Sequence, residues 1–548
     1  MKGRKPLMVI LSVFLMLSMI LGSCAKKPAT TKQTPSTEKA DPFGKYDPPI
    51  DLTSCRILTS WMTLDSPDDE NNNVWSRAYK DYLGINLKQS WTAPNWGDPF
   101  DQKINIAIAS DSLPDILPVY TTLFYRIEQG GKAADLTDLL DKYGSDNLKK
   151  ILQTNNGMGI KSASLNGKLY GLAQVPDTSP RTMLYIRKDW LDKLGLQAPK
   201  TLDDLFETAR QFVKRDASGT GKTIGLEMGK DFFGGDADPA SIFAAYHVYV
   251  NNWVLKDGKL VRGETLPENK QVLQKLADLY KEGVIPKDFY LKDETKDTLA
   301  DMVAGKVGIG FGSGDFLSTP ELEDLHKKDP NAKWIVMPMP TIDGQPFMDY
   351  RDTRIANFWA VSAKCEHPEA LIKMANLQVE IDNYNPKYVK DNTFNMSPTG
   401  KMNFWCKATG IVDPLKTTNT FNAVKEAMKS KDASKLNPSD KETYNKATSA
   451  DPKVGDWGYA QSWAENGPND LQFGELSKNV ILSPAWGPET PAWVQNGQAM
   501  YSKVREYFTK AVTSGNVDQE FNNWLNYWNT QGGKDATDEI NDWYAKNK

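Results

Sequence analysis

Apolar runs of strand length alternate with amphipathic helical stretches along this chain, and that alternation restricts it to an α/β fold with helical crossovers over a sheet. A strand is expected at Arg56–Trp61, a helix around Asn73–Tyr82 with Val74, Ala78 and Tyr82 on one face, and a strand at Leu87–Trp91. Phe100–Ala109 reads as helix, and Leu113–Leu117 enters another short strand. Met183–Arg187 is a further apolar strand, followed by a short helix at Asp189–Leu194 that Gly195 stops. After Pro199-Lys200-Thr201, the residues Leu202, Leu205, Phe206, Ala209 and Phe212 form an apolar helical stripe, which is core packing. Helices are also expected at Leu266–Tyr280, Thr298–Ala304 and His367–Leu377, and strands at Val307–Phe311, Trp334–Met337 and Ala356–Val361. The last third is mainly helical, at Thr420–Met428, Ala499–Thr509 and Val517–Trp528. No fixed-period repeat is present, which excludes a solenoid.

At 548 residues the chain exceeds a single small module and accommodates up to three ordinary domains. Its 16 Trp, 21 Tyr and 20 Phe exclude wholesale disorder. A formal charge of −4 removes the usual electrostatic reason to bind nucleic acid.

The N-terminus differs from the rest. Lys2, Arg4 and Lys5 precede an apolar core from Leu7 to Leu21, too short for a permanent span, which ends in Leu21-Gly22-Ser23-Cys24. This resembles a bacterial lipoprotein export signal, residues 1–23, cleaved before a Cys24 whose thiolate takes up lipid. Acyl chains would then anchor the protein to a membrane. Residues 24–50 carry that cysteine and a tether rich in Pro, Thr and Lys. Loss of the three basic residues takes the formal side-chain charge from −4 to −7. Cys55, Cys365 and Cys406 remain, compatible with one disulfide or with three free thiols. With no Cys-x-x-Cys and with His247, His326 and His367 far apart, structural zinc is not expected.

Several words resemble, in order, those of bacterial extracellular solute-binding lipoproteins of ATP-driven importers, in the large oligosaccharide-binding branch of family 1. They are LNGKLYGLAQVPDTSPRTMLYIRKDWLDKLGLQAPKTLDDLFETARQF at 165–212, KLADLYKEGVIPKDF at 275–289 and MVAGKVGIGFGSG at 302–314. FWAVSAKCEHPEALIKMANL at 358–377 and YFTKAVTSGNVDQEFNNWLNYWNTQGG at 507–533 complete the set, which spreads over nearly the whole mature chain. The resemblance implies a two-lobe periplasmic-binding-protein-like α/β fold with discontinuous lobes, a hinge and a ligand cleft between the lobes. Pro176–Thr182 would be the first crossing, residues 341–356 the second, and a third would fall near 390–405. Lobe 1 would be 51–175 with 355–400, and lobe 2 would be 178–342 with 403–548.

Trp residues in polar, Gly- and Pro-containing stretches suit a saccharide. An indole covers the C–H face of a sugar ring while polar groups meet its hydroxyl edge. By position in the resembled fold, the candidates are Trp61 and Asp65 after the first strand, Asn72 beside the next helix, and Asn357 and Trp359 after the second crossing. Trp463 and Trp486 fall on second-lobe loops, and Gly310–Phe316 carries Phe311 and Phe316 past a strand end. Asp115 either accepts from sugar hydroxyls or caps a turn, and Arg354 with Asp352 either forms a hinge ion pair or grips ligand. No cluster of Arg and Lys calls for an acidic sugar, and the negative balance mildly favours neutral ligands.

Some relatives carry a calcium loop where this chain has Asp216-Ala217-Ser218-Gly219-Thr220-Gly221-Lys222-Thr223-Ile224. Only Asp216 is anionic, and Glu227 is the one later acid able to reach back, so no cofactor is expected and the turn is kept for shape. Gly219–Thr223 lacks nucleotide-loop spacing, and no serine elbow or zinc helix occurs, so the chain is not expected to be an enzyme. The expected role is capture of an extracellular oligosaccharide for a membrane permease, as a lipid-anchored monomer on the outer face of the cytoplasmic membrane of a Gram-positive bacterium. A peptide-binding transport receptor and a surface carbohydrate-adhesion protein remain the alternatives.

Overall fold

The computed structural model describes residues 40–548 apart from 61, 96–97, 234–238, 294–295 and 452–455, and structural statements below concern these residues. Residues Asp41–Lys548 form one compact unit. Its larger sheet has five strands in the order Ile85–Ala93, Ile50–Ile57, Ile116–Tyr120, Asn357–Val361 and Gly171–Ala173. The first three run parallel, while Asn357–Val361 runs antiparallel to both of its neighbours. The second sheet is antiparallel: Met183–Arg187 lies between Ile309–Gly312 and Trp334–Met337. The α/β class thus holds, with the parallel pairing of the larger sheet confined to its N-terminal strands.

Two large apolar cores accompany these sheets. One collects residues from Leu52 to Ala173 and from Ile355 to Ile411. The other collects residues from Leu184 to Phe347 and from Ala485 to Ile540. A smaller cluster around Met183, Tyr185 and Phe316 lies on the opposite face of the Met183–Arg187 strand from Leu184 and Ile186, so that strand is buried on both faces. The helix Leu202–Lys214 starts at a reciprocal cap: Thr201 accepts from Asp204 N, and the Asp204 carboxylate accepts from Thr201 N. All five residues of its predicted stripe are buried.

Four local expectations need correction. The helix after Asn73 buries Trp75, Tyr79 and Leu83, whereas Tyr82 is exposed. A wider π-helical turn at Tyr79–Leu83 lets Tyr79 and Leu83 follow Trp75 onto the core at four-residue spacing. The first strand is Ile50–Ile57 and has left the sheet before residue 61. Residues 41–50 are packed, not free tether: Tyr46 Oη donates to Glu369, Lys373 Nζ to Gly44 O and Asn376 Nδ2 to Pro42 O. Finally, residues 390–405 do not cross between cores. Phe394 and Trp405 pack on the first core, and the Arg56 guanidinium donates to the carbonyls of Trp405, Cys406 and Lys407.

Candidate functional site: a polar trough along the crossing segments

Gln174–Thr182 and residues 338–348 run largely without regular structure, and polar side chains fasten the crossing segments to one another. Asp349, in the short strand Asp349–Arg351, is buried and accepts from Arg181 N at 2.5 Å and Thr182 N at 3.0 Å. Burial raises its carboxyl above the ordinary value, while these two N–H groups oppose the rise. The same strand pairs in parallel with Val480–Leu482, and Thr353 Oγ1 donates to Ser483 O.

Three confluent cavities open along these segments. The central one, about 590 Å³, is lined by Arg181, Tyr249, Phe311, Tyr350, Arg351 and neighbouring residues. Arg181 and Ser313 also line a second cavity of about 460 Å³, whose far wall carries Tyr459, Trp463, Asn469 and Gln472. Asn251 and Arg354 also line a third of about 590 Å³, which reaches Tyr120 and Arg126 on one side and Trp493 and Tyr501 on the other. The shared residues make one long trough with walls from elements of both large cores.

Local packing fixes its surfaces. Gly314 lies so close to the second cavity's wall that a Cβ there would come within 2.2 Å of Asn469 Oδ1, and its N–H donates to Gln472 Oε1. Trp463 stacks on Phe421 with ring centroids 6.1 Å apart. Tyr350 Oη donates to Trp253 O at 2.6 Å and its ring lies 5.0 Å from that of Tyr249. In the third cavity Arg262 is buried against Glu264 at 2.8 Å and lies over the Trp493 ring, which holds that indole in place.

Of the residues singled out from the sequence, Phe311, Asp352, Arg354 and Trp463 line this trough. Arg354 pairs with Asp352 at 2.7 Å and faces Glu489 at 3.7 Å. Trp61 and Cys24 lie outside the described residues. The others are held elsewhere. Phe316 folds back into the core beneath Gly310 and Gly312, with its ring 4.3 Å from that of Tyr185. Trp359 is buried over Gly410, where a Cβ would approach its indole to 2.6 Å. Asn357 donates to Gln174 Oε1 at 2.9 Å, beside the first crossing. Trp486 packs on Trp543 and against the first core.

The remaining acids and amides serve turns. Asp65 accepts from Thr399, and hydrogen bonds from Ser397 and Thr399 hold its carboxyl below the ordinary range. Asn72 accepts from Arg77 at 3.2 Å. Asp115 accepts from Thr53 N and Oγ1 at the N-terminal end of the Ile116–Tyr120 strand, the end away from Tyr120 and the trough. At the former calcium-loop position Asp216 accepts from Thr223 Oγ1 at 2.7 Å and Gly221 N at 2.9 Å. Glu227 does not reach back to it but pairs with Lys292 at 2.9 Å. Among the described residues no group of His, Cys, Asp and Glu is arranged to hold a metal, and Cys55, Cys365 and Cys406 are free thiols.

Sequence reasoning missed Arg181, Tyr249, Asn251, Tyr350 and Arg351. Three of these lie in the two stretches read as crossings, where only Asp352 and Arg354 are weighed from the sequence as ligand contacts.

The sequence profile described as bacterial extracellular solute-binding protein matches residues 71–378. The chain is 28% identical over 282 residues to lipoprotein LipO of Bacillus subtilis, covering 50% of this chain and 54% of that one. It is 27% identical over 292 residues to the fructooligosaccharide ABC transporter substrate-binding protein FusA of Streptococcus pneumoniae, covering 50% and 52%. The chain thus spans about half the length of the curated relatives it matches. Its fold is similar to the crystal structure of an extracellular solute-binding protein from Bifidobacterium longum subsp. infantis, with a TM-score of 0.62, 18% identity, and 92% and 99% of the two chains covered. The profile runs through the crossing segments and into both cores that wall the trough, and by that match the chain belongs to the bacterial extracellular solute-binding protein family.

Proposed function

We propose that this chain is the substrate-binding lipoprotein of an ATP-driven importer, capturing an extracellular oligosaccharide in the trough and presenting it to a transmembrane permease. The observation that carries this reading is the trough itself. Each of its three confluent cavities falls within the size range of small-molecule sites, and together they offer length for several rings. Aromatic faces at Tyr249, Trp463 and Trp493 alternate with amides and charged groups, the pattern that meets the apolar faces and hydroxyl rims of sugars.

On this reading the lobes are residues 51–175 with 355–411, and 178–342 with 416–548. The make-up of the two cores supports that division and moves the last return past residue 403 to Ile411. Ligand selects a closed arrangement, and the crossing residues absorb the motion. The names of FusA, a transporter's substrate-binding protein, and of LipO, a lipoprotein, support transport and a lipidated Cys24. The monomer would then be held at the outer face of the cytoplasmic membrane by its acyl chains. No helix among the described residues is long and apolar enough to cross a membrane, which is in keeping with anchoring of that kind. The proposed role is binding, with no catalysis.

The test is a thermal-shift screen of the full-length chain in mild detergent against defined oligosaccharides and short peptides. A saturable rise in Tm with one glycan class is expected. Trp463→Ala should weaken that glycan roughly 10-fold or more, read by calorimetry well below the melting transition because losing a buried indole also costs stability. Shifts with peptides alone would sink the sugar reading and leave transport standing.

A further inference from the structure

Arg181 and Arg351 come from different crossing segments and line the same central cavity, and neither has a carboxylate within ion-pair distance. Arg181 is exposed, and its guanidinium makes no hydrogen bond to any described residue. Arg351 is partly buried: its Nε is shielded from solvent without a partner, and its one side-chain hydrogen bond is a long one, 3.4 Å, from Nη2 to Asp177 O. The nearest acids are already engaged. Asp349 spends its carboxylate on the N–H groups of Arg181 and Thr182, and Asp352 pairs with Arg354. Burial chiefly, and the Arg181 charge in smaller part, disfavour the cationic form of Arg351, against the opposing pull of the Asp349, Asp177 and Asp352 charges. Two like charges therefore line one cavity, one of them with an orphaned Nε donor, and among the described residues neither forms an ion pair with the acids nearby.

We infer that this pair is a carboxylate subsite, and that the oligosaccharide the trough takes is acidic, with a uronic-acid carboxylate seated between Arg181 and Arg351. Guanidinium forks match carboxylates in geometry, and charge-assisted bonds of this kind are stronger than neutral ones. The walls next to the pair supply what the rest of such a sugar needs. The Tyr249 and Tyr350 rings offer faces for the ring carbons, and Asn251 and Ser313 offer polar groups at the junctions with the neighbouring cavities. Arg181 lines both the central and the second cavity, so the carboxylate-bearing residue would lie in the interior of the bound chain, with sugars to either side. This inference reverses the expectation of a neutral ligand drawn from net charge. It rests on the oligosaccharide-binding reading.

The experiment is isothermal calorimetry on the full-length chain in mild detergent, using trigalacturonate and trimannuronate beside their carboxyl-reduced, neutral counterparts. The acid of at least one pair should bind roughly 10- to 100-fold tighter than its reduced form, the range expected for hydrogen bonds to a charged group. That advantage should shrink as salt is raised. Arg181→Gln should abolish most of it. The side chain is exposed and carries no internal hydrogen bond, so this variant keeps the fold even if Arg351→Gln does not. Arg181→Lys should restore part of the advantage, since it keeps the charge and loses the fork. If reduced trisaccharides bind as tightly as the acids, or if Arg181→Gln leaves the preference unchanged, the subsite is wrong while oligosaccharide binding stands. If neither form binds, the uronic-acid subsite is wrong, and the oligosaccharide reading is decided by the thermal-shift screen alone.

Discussion

Glu128 lies on the buried face of the helix Thr121–Gln129 with both carboxylate oxygens shielded from solvent and without a hydrogen-bond partner. Desolvation pushes its carboxyl from 4.5 up to about 7. A folded-state value above the unfolded one means that the native protein holds the proton more firmly. The resulting stability is full below about pH 4.5 and is lost as pH rises through about 7. Glu128→Gln removes this titration and keeps the shape. The variant should gain on the parent protein by about 2–3 kcal/mol between pH 4.5 and 8, measured by urea unfolding at both pH values. Glu227, beside Lys292, is likewise raised to about 7 by burial and titrates in the same window. The difference between parent and variant isolates Glu128. A gap that does not widen with pH would show that the native carboxyl is solvated. At this scale the sequence was least informative: nothing local separates Glu128 from an exposed helical acid, or Trp359 over Gly410 from a sugar-facing indole. Burial and partners are set by chain segments far outside any local window, as Gly410 is for Trp359.

Elements were far more legible, because their signals are local. Trp334–Met337 and Met183–Arg187 are apolar runs that coincide with observed strands, and the cap at Thr201 opens the helix where expected. What periodicity could not supply was the destination of irregular segments such as 390–411. Their path depends on the Ile50–Ile57 strand, through Arg56. That guanidinium is buried enough to disfavour its charge, yet it has no acid partner and is satisfied by three carbonyls and the face of Trp405. Asp382 and Lys407, 2.7 Å apart, fasten the same segment to the helix Glu369–Asp382. Arg56→Met should cost about 2–4 kcal/mol, since each lost charge-assisted bond leaves a carbonyl to be rehydrated. It should also expose the 390–411 segment to limited proteolysis before global unfolding. Cleavage elsewhere first would show that the strand does not hold this segment.

Over the whole molecule, the trough joins residues near positions 181, 251, 313, 351 and 469, a gathering that no window of sequence displays. The family resemblance did point to the two crossings, and these carry much of the central wall. Each large core owns its sheet and helices, whereas the stretch from Gln174 to Thr182 has few fixed attachments of its own. Gln174 N donates to Asn357 O, Asn155 Nδ2 donates to Pro176 O, and the Asp349 carboxylate collects the N–H groups at its far end. Asp349 therefore determines where Arg181 stands without belonging to the interior of either large core. Asp349→Ala should leave two N–H groups of the crossing without their acceptor while the cores stay packed. The expected result is a modest fall in the urea midpoint with little change in m, beside a loss of roughly 10-fold or more in affinity for whichever oligosaccharide the parent protein binds. Asp349→Asn, which retains an acceptor oxygen, should recover most of that affinity. If Asp349→Ala lowered stability and affinity in strict proportion, with Asp349→Asn no better, the carboxylate would be a core element, and the position of Arg181 would be set by the cores themselves.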